Sequence, residues 1–196
     1  MRVLVACESS GTVREAFRAA GHDAYSADIL PADDGSPFHY TGDARALLTP
    51  GRWDLLIAHP PCTRLANSGV RWLHERNLWS ELDAACELFA AFYNAPVPRV
   101  AVENPIQHGH ARRRIAALIG GDGRPSQIIQ PWQHGHGETK ATGLWLRGLP
   151  ALVPSNIVEG REQRIWKLPP SVDRWKLRSK TFEGIARAMA DQWGRV

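Results

Sequence analysis

Apolar positions in the first hundred residues alternate between two spacings. Short apolar runs predict buried strands at residues 2–6, 22–27, 53–58 and 99–102. Apolar positions three and four residues apart predict amphipathic helices at residues 12–20 and 81–93. Strands that alternate with helices of this length are typical of a mostly parallel sheet with crossover helices on both faces. The pattern therefore predicts an α/β fold.

The pattern weakens in the second half of the chain. A short helix is predicted at 112–119, two late strands at 127–130 and 143–146, and a last helix at 182–193. From 149 to 177, Pro, Arg and Trp dominate and regular periodicity fades. We expect one domain over residues 1–148, a short basic segment over 149–178, and a C-terminal helix over 179–196 that returns to the domain.

Size and composition favour a single globular domain in the cytoplasm. The chain has 196 residues, which leaves no room for a second full domain. Its longest apolar runs, at 55–58 and 96–102, are too short to cross a membrane. Met1 and Arg2 lead directly into the first strand without a signal-peptide pattern.

Neither the cysteines nor the histidines predict a metal site. The three cysteines are widely spaced and match no disulfide or zinc pattern. Cys7 and Cys86 follow or flank apolar positions, which favours buried thiols. The two His-x-His pairs, at 108–110 and 134–136, have no thiolate or carboxylate set beside them.

The net charge of +4 points weakly to a polyanionic partner, because such an excess also occurs in proteins that never bind nucleic acid.

Polar residues follow each predicted strand, at the edge where open parallel sheets bind ligands. The turn at 7–11 and Asp28 suit a nucleoside cofactor, and Asp43 could accept a hydrogen bond from an adenine amine. The turn lacks the glycine repeat that phosphates require, which favours S-adenosylmethionine (SAM) over a dinucleotide. The alternative is that Asp28 and Asp43 are ordinary turn or cap residues.

Cys62 is the strongest candidate nucleophile. It follows Pro60 and Pro61 at a strand end, where the chain must leave the sheet. A helix beginning after this turn would lower the pKa of the thiol. Glu103 ends the next strand, and a thiolate with a carboxylate is the chemistry that activates an electron-poor pyrimidine.

Several motifs, in order along most of the chain, resemble those of the DNA cytosine-C5 methyltransferases, in particular the small forms common in phages and prophages. The motifs are V-A-C-E-S-S-G-T-V-R-E-A-F, S-A-D, G-D, P-P-C-T, V-E-N-P and T-F-E-G-I-A-R-A-M-A-D-Q-W-G. The resemblance implies a Rossmann-like SAM-dependent methyltransferase fold and a role in DNA modification, in a phage or restriction-modification setting. Pro-Pro has no aromatic residue after it, which argues against methylation of an exocyclic nitrogen.

The resemblance also implies roles for individual residues. Cys62 would attack C6 of the pyrimidine and Glu103 would contact N3. The cofactor would be held by Cys7, Glu8, Ser9, Ser10, Gly11, Thr12, Asp28, Ile29, Asp43, Pro60, Ser179 and Thr181. The substrate would be contacted by Pro61, Asn104, Pro105, Lys140, Thr142, Arg164, Trp166, Arg174 and Trp175.

The chain departs from the family in two places. Residues 137–142 stand where the family carries Gln-Arg-Arg-x-Arg, so Lys140 could replace one arginine while Thr142 stands at the other. Residues 149–178 stand in place of a full target-recognition domain. Basic residues interleaved with Trp166 and Trp175 suit a surface that tracks a nucleic-acid backbone and stacks bases. The alternative is a solvated loop whose tryptophans pack onto the core.

These observations favour methylation of C5 of cytosine in DNA. A second hypothesis keeps the chemistry but places it on a free pyrimidine nucleotide, because the recognition domain is missing. A third is a catalytically silent module that binds SAM or nucleic acid. The presence of both Cys62 and Glu103 argues against the third, since a binding module needs neither.

Overall fold

A seven-stranded sheet organises the protein. The computed structural model describes residues 1–172 and 174–196. The strand order is β3-β2-β1-β4-β5-β7-β6, in which β1 to β5 run parallel, β7 is antiparallel to β5, and β6 is antiparallel to β7. The strands are β1 Arg2–Ala6, β2 Asp23–Asp28, β3 His39–Thr41, β4 Leu55–Ala58, β5 Arg99–Pro105, β6 Gln127–Ile129 and β7 Thr142–Arg147.

Helices cover both faces of this sheet because successive residues of a strand point to opposite sides. The helices are α1 Thr12–Ala19, α2 Val70–Glu75, α3 Trp79–Tyr93, α4 Gly109–Ile119, α5 Arg164–Lys167, α6 Arg174–Ser179 and α7 Glu183–Trp193. Leu4, Leu56 and Val100 pack into a core with α3 and α4. Their neighbours Val3 and Leu55 pack into a second core with α1 and α7.

The mostly parallel α/β fold predicted from the sequence is confirmed, and the strand order gives it a Rossmann-like layout. Three parts differ from the prediction. Strand β3 was not predicted because only three residues of mixed polarity form it, and α2 was not predicted because most of its residues are exposed or half-buried. The segment in which periodicity fades contains α5 and α6.

The C-terminal helix α7 lies against α1. Met189 and Trp193 are fully buried there, in one core with Phe17. The indole Nε1 of Trp193 donates a hydrogen bond of 2.9 Å to the carbonyl of Pro150. The helix therefore also anchors the start of the 149–163 connection. Among the described residues, no helix combines the length and apolarity that a membrane span requires.

Candidate active site

The carboxyl ends of β1, β2 and β4 are joined by backbone hydrogen bonds. The N–H of Glu8 donates to the carbonyl of Ala27 at 3.2 Å, and the N–H of His59 donates to that of Ala6 at 2.9 Å. The strand order reverses between β1 and β4, which is the point where open α/β sheets bind ligands. The loops that follow these strands therefore share one edge.

Residues 7–11, between β1 and α1, form the first loop, and Glu8 supports this loop from its buried side. Its carboxylate accepts hydrogen bonds from the N–H groups of Val13 at 2.7 Å and Arg14 at 3.2 Å, at the start of α1. Burial raises the pKa of Glu8, and these bonds act in the opposite direction. Gly11 precedes α1 at a φ of 69°, and a Cβ at this position would collide with the Arg14 guanidinium. The backbone conformation and the contact with Arg14 thus both favour glycine at position 11.

Cys7, Asp28 and Asp43 come together beyond β1 and β2. Burial, followed by the charges of Asp28 and Asp43, raises the pKa of the Cys7 thiol to about 12. Asp28 accepts a hydrogen bond from the N–H of Leu30 at 3.0 Å, and Asp43 accepts one from the N–H of Arg45 at 2.9 Å. Three of the residues predicted to hold a cofactor are therefore neighbours, although each carboxylate also has a partner in its own turn. Ile29 is 78% exposed beside them.

Cys62 lies half-buried in a turn after β4. Its carbonyl accepts hydrogen bonds from the N–H groups of Leu65 at 3.0 Å and Ala66 at 2.9 Å. The predicted lowering of its pKa was wrong: burial raises the pKa of the thiol, and the charge of Glu103 raises it further. Helix α2 begins eight residues after Cys62, at Val70, rather than directly after the turn.

Two positive charges favour the Cys62 thiolate. Lys140 and Arg178 each lower the pKa of the thiol, against the effects of burial and of Glu103. Lys140 was predicted to contact substrate, whereas Arg178 was not singled out among the basic residues around it. Cys62 is therefore a protonated thiol whose ionised form has two cations to stabilise it.

Hydrogen bonds fasten the turn after β4 to the end of β5 and to the loop that follows β5. The buried Asn104 side chain donates a hydrogen bond of 2.8 Å to the carbonyl of Pro60. Further along, the N–H of His108 donates to the carbonyl of Leu65 at 3.0 Å, and its Nε2 lies 2.8 Å from the carbonyl of Arg64. The turn that carries Cys62 and the end of β5 that carries Glu103 therefore form one unit.

Glu103 is paired with His59. The Oε2 atom of Glu103 lies 3.0 Å from Nδ1 of His59, and the two side chains are 14% and 9% exposed. Burial raises the pKa of Glu103, but the hydrogen bond and charge of His59, with the charge of Lys140, lower it overall. Sequence reasoning missed His59, whose only signal was its position immediately before Pro-Pro-Cys at a buried strand end.

A small cavity lies in front of Glu103. Lys140 and Thr142 line it from the start of β7, and Thr181 lines it from the segment before α7. Thr181 was predicted at the cofactor, and the structure places it beside Glu103. Ser179 lies at the end of α6, where its hydroxyl donates to the carbonyl of Lys176 at 2.9 Å.

The two tryptophans of the basic segment face solvent. Trp166 is 73% exposed and Trp175 is 57% exposed, so the alternative that both pack onto the core is wrong. Arg164 pairs with Glu138 at 2.7 Å, and Arg174 donates to the carbonyl of Leu168 at 2.7 Å. Arg164 therefore ties the segment to the loop before β7, and Arg174 braces it internally.

Helix α6 reaches across to the first loop. Lys176 Nζ lies 2.7 Å from a carboxylate oxygen of Asp33, and the N–H of Asp33 donates to the carbonyl of Ser9 at 2.9 Å. The segment thus spans the edge from the Cys62 loop, where the charge of Arg178 acts, to the loop predicted to hold the cofactor.

Neither a protein-family model nor a curated protein matches the chain. Among solved structures, the chain is similar to one named as a DNA modification methyltransferase encoded within an E. coli prophage, with 14% identity and a TM-score of 0.54 over 88% of this chain and 56% of that one. It is also similar to a methyltransferase of Entamoeba histolytica, with 12% identity and a TM-score of 0.54 over 81% of this chain and 57% of that one. The chain thus spans just over half the length of each. The likeness shows the fold, which is the Rossmann-like methyltransferase fold.

Proposed function

We propose that the protein transfers a methyl group from SAM to C5 of cytosine in DNA, through a covalent bond between Cys62 and C6. One observation carries the proposal. Cys62 follows β4 and Glu103 lies near the carboxyl end of the adjacent parallel strand β5, close enough that the charge of Glu103 raises the pKa of the thiol. The fold that these strands belong to is that of the two methyltransferases described above.

The first loop suits SAM by its chemistry. The two carboxylates near Cys7 can accept hydrogen bonds from ribose hydroxyls and from the adenine amine. SAM has no phosphate group, which agrees with a turn that carries Gly11 but no glycine repeat. Bound SAM supplies the electrophilic methyl group.

The side chains around Cys62 and Glu103 would activate the cytosine. Lys140 and Arg178 stabilise the Cys62 thiolate, which adds to C6 while Glu103 hydrogen-bonds N3. The addition converts C5 into an enamine carbon that can take up the methyl group. Water then takes up the C5 proton, and cleavage of the C–S bond restores the aromatic ring and frees the thiolate. In duplex DNA the cytosine must first leave the stack, because the thiol cannot reach C6 inside it.

The exposed tryptophans support DNA over a free nucleotide. A mononucleotide needs one pocket, whereas Trp166 and Trp175 are two exposed stacking surfaces outside the small cavity at Glu103. They lie among basic residues, which is the combination that binds a nucleic-acid backbone and its bases. The E. coli prophage protein is likewise named for DNA modification.

Covalent trapping tests the proposal. A randomised oligonucleotide in which 5-fluorocytosine replaces cytosine should form a denaturation-resistant adduct with the wild-type protein only when SAM is present, because fluorine cannot leave C5 as a cation. Cys62→Ser should form none. The matched control is Cys86→Ala, since Cys86 is a buried thiol on α3 that lies 3.9 Å from the carbonyl of Ala111. An adduct in Cys62→Ser, or none in both the wild-type protein and the control, would overturn the proposal.

A further inference from the structure

His59 is a buried histidine between acidic groups, and the mechanism above does not use it. Its backbone is fixed by the hydrogen bond to Ala6, and its ring is 9% exposed. Nδ1 lies 3.0 Å from Glu103, and Nε2 has no hydrogen-bond partner within the part of the chain that the structure describes. A buried ring nitrogen without a partner costs folding stability, and a catalytic role is one reason why a protein retains such a group.

The charged groups around His59 favour its protonated form. Glu103 faces it from β5 and Glu8 acts on it from the loop after β1, while Lys140 opposes them from the loop before β7. Burial lowers the pKa of His59, but the hydrogen bond and charge of Glu103, with the charge of Glu8, raise it overall. Two carboxylates against one ammonium group leave an excess of negative charge around the ring.

Glu103 by itself is a poor proton donor. Its lowered pKa makes it a carboxylate at neutral pH, whereas the addition of a thiolate at C6 leaves negative charge on the pyrimidine that a proton at N3 would neutralise. A group that lies behind Glu103 and carries a proton would resolve this conflict, and the imidazole of His59 is in contact with Glu103 at that position.

We infer that His59 is a positioning residue that holds Glu103 through Nδ1 and stores, as an imidazolium, the proton that Glu103 delivers to N3; the inference rests on the proposed function. As the thiolate forms the C–S bond at C6, the Nδ1 proton moves to Oε2 of Glu103. Rotation of the carboxyl group about the Cγ–Cδ bond then brings this protonated oxygen to N3, which takes up the proton. When the C–S bond breaks, the N3 proton returns through Glu103 to His59. The pair therefore gains and loses no proton over one turnover.

A titration of the free protein tests the charge state without any turnover. In ¹⁵N nuclear magnetic resonance of the wild-type protein, His59 should titrate above pH 6.5, the usual pKa of histidine. In Glu103→Gln its titration should move to lower pH, while the other seven of the eight histidines keep theirs. A wild-type His59 that titrates below pH 6.5, or one that Glu103→Gln leaves unchanged, would overturn the inference.

Turnover tests the role of the proton. His59→Asn keeps an N–H group near Glu103 but carries no titratable proton, so kcat for DNA methylation should fall about 100-fold while KM for SAM changes little. Because the imidazolium is the active form, the wild-type rate should show an inflection at the pKa of His59, beyond which part of the activity is lost, and His59→Asn should lack this inflection.

The outcomes separate the two proposals. A wild-type protein that methylates DNA, beside a His59→Asn variant with the same kcat and the same inflection, would overturn only the role of His59. A wild-type protein that methylates no cytosine would overturn the proposed function and the role of His59 together. Thermal denaturation of His59→Asn should show a folded protein, so that a lower kcat reports on the proton rather than on unfolding.

Discussion

The side-chain amide of Asn104 fastens the turn that carries Cys62 to the end of β5. Asn104 is buried, and its Nδ2 atom satisfies the carbonyl of Pro60 at 2.8 Å. Proline has no N–H of its own, so the two prolines before Cys62 cannot fasten this loop with backbone donors. The position of Cys62 relative to Glu103 therefore depends strongly on one side chain.

Asn104→Ala should lower both stability and trapping. Loss of the amide leaves a buried carbonyl without a donor, which costs about 1–3 kcal/mol of unfolding free energy, measurable by chemical denaturation. The rate of adduct formation with 5-fluorocytosine DNA should also fall, because the turn that carries Cys62 is no longer held.

Asn94→Ala is the matched control for this change. Asn94 also donates to a backbone carbonyl, that of Leu118 at 3.1 Å, but it is exposed and follows α3, before the amino end of β5, whereas the candidate site lies at the carboxyl end of that strand. Asn94→Ala should lower the unfolding free energy less than Asn104→Ala does and leave the rate of adduct formation unchanged. Equal trapping rates in both variants would show that Asn104 does not position the thiol.

The candidate residues could be predicted because strand ends can be read from hydrophobic runs. Cys62 and Glu103 each follow such a run, so their meeting at one edge follows from the predicted parallel sheet. The partner of Glu103 could not be predicted, because the contact with His59 depends on which way both side chains point after the strands end. The raised pKa of Cys62 was missed for a similar reason, since the sequence does not show how far the thiol is buried or how close Glu103 lies to it.

Helix α7 is the element that joins the end of the chain to its beginning. It shares a core with α1, the helix that carries the first loop, and Trp193 also holds the carbonyl of Pro150. The helix was predictable from its regular apolar spacing, whereas its partner was not, because helices at opposite ends of the chain leave no sign of their contact in the sequence.

Trp193→Ala should destabilise the protein severely. The side chain is fully buried, and a change from tryptophan to alanine in a core typically costs about 3–5 kcal/mol. Trp193→Phe keeps the aromatic ring and loses mainly the hydrogen bond, so it should cost about 1 kcal/mol. Chemical denaturation at neutral pH measures both, and similar losses in the two variants would show that packing is not the main contribution.

At the scale of the whole molecule, the positive charge is concentrated where the proposed DNA surface lies. Seven basic residues occur between positions 161 and 180, against a net charge of +4 for the entire chain. The basic composition around Trp166 and Trp175 predicted an exposed stacking surface, and both side chains are exposed. The bond from Lys176 to Asp33 could not be predicted, because that segment carries no periodic pattern that would orient its side chains.

DNA binding should therefore weaken with salt, and two variants should separate charge from stacking. Lys167→Gln removes one phosphate contact, so the slope of log K against log salt should become shallower by about 0.9. Trp166→Ala should weaken binding about 10-fold or more at every salt concentration and leave the slope unchanged, because stacking releases no ions.

Ile128→Ala is the control for the loss of an exposed apolar side chain. Ile128 is 53% exposed on the edge strand β6 and should not affect binding. Fluorescence anisotropy with a labelled oligonucleotide, compared with binding of free deoxycytidine monophosphate, measures these effects. If the affinity for DNA does not depend on salt concentration, or does not exceed the affinity for the nucleotide, the free nucleotide is favoured as substrate.

The pairing of β4 with β5 limits how this protein can vary in length. Ala58 lies opposite Val102, so the residues that follow them, His59 and Glu103, continue from neighbouring strands about 4.8 Å apart. One residue inserted before His59 or before Glu103 would turn the following side chain to the other face of the sheet. Insertions can be accommodated in the surface connection after β7, whereas these two strand ends permit none.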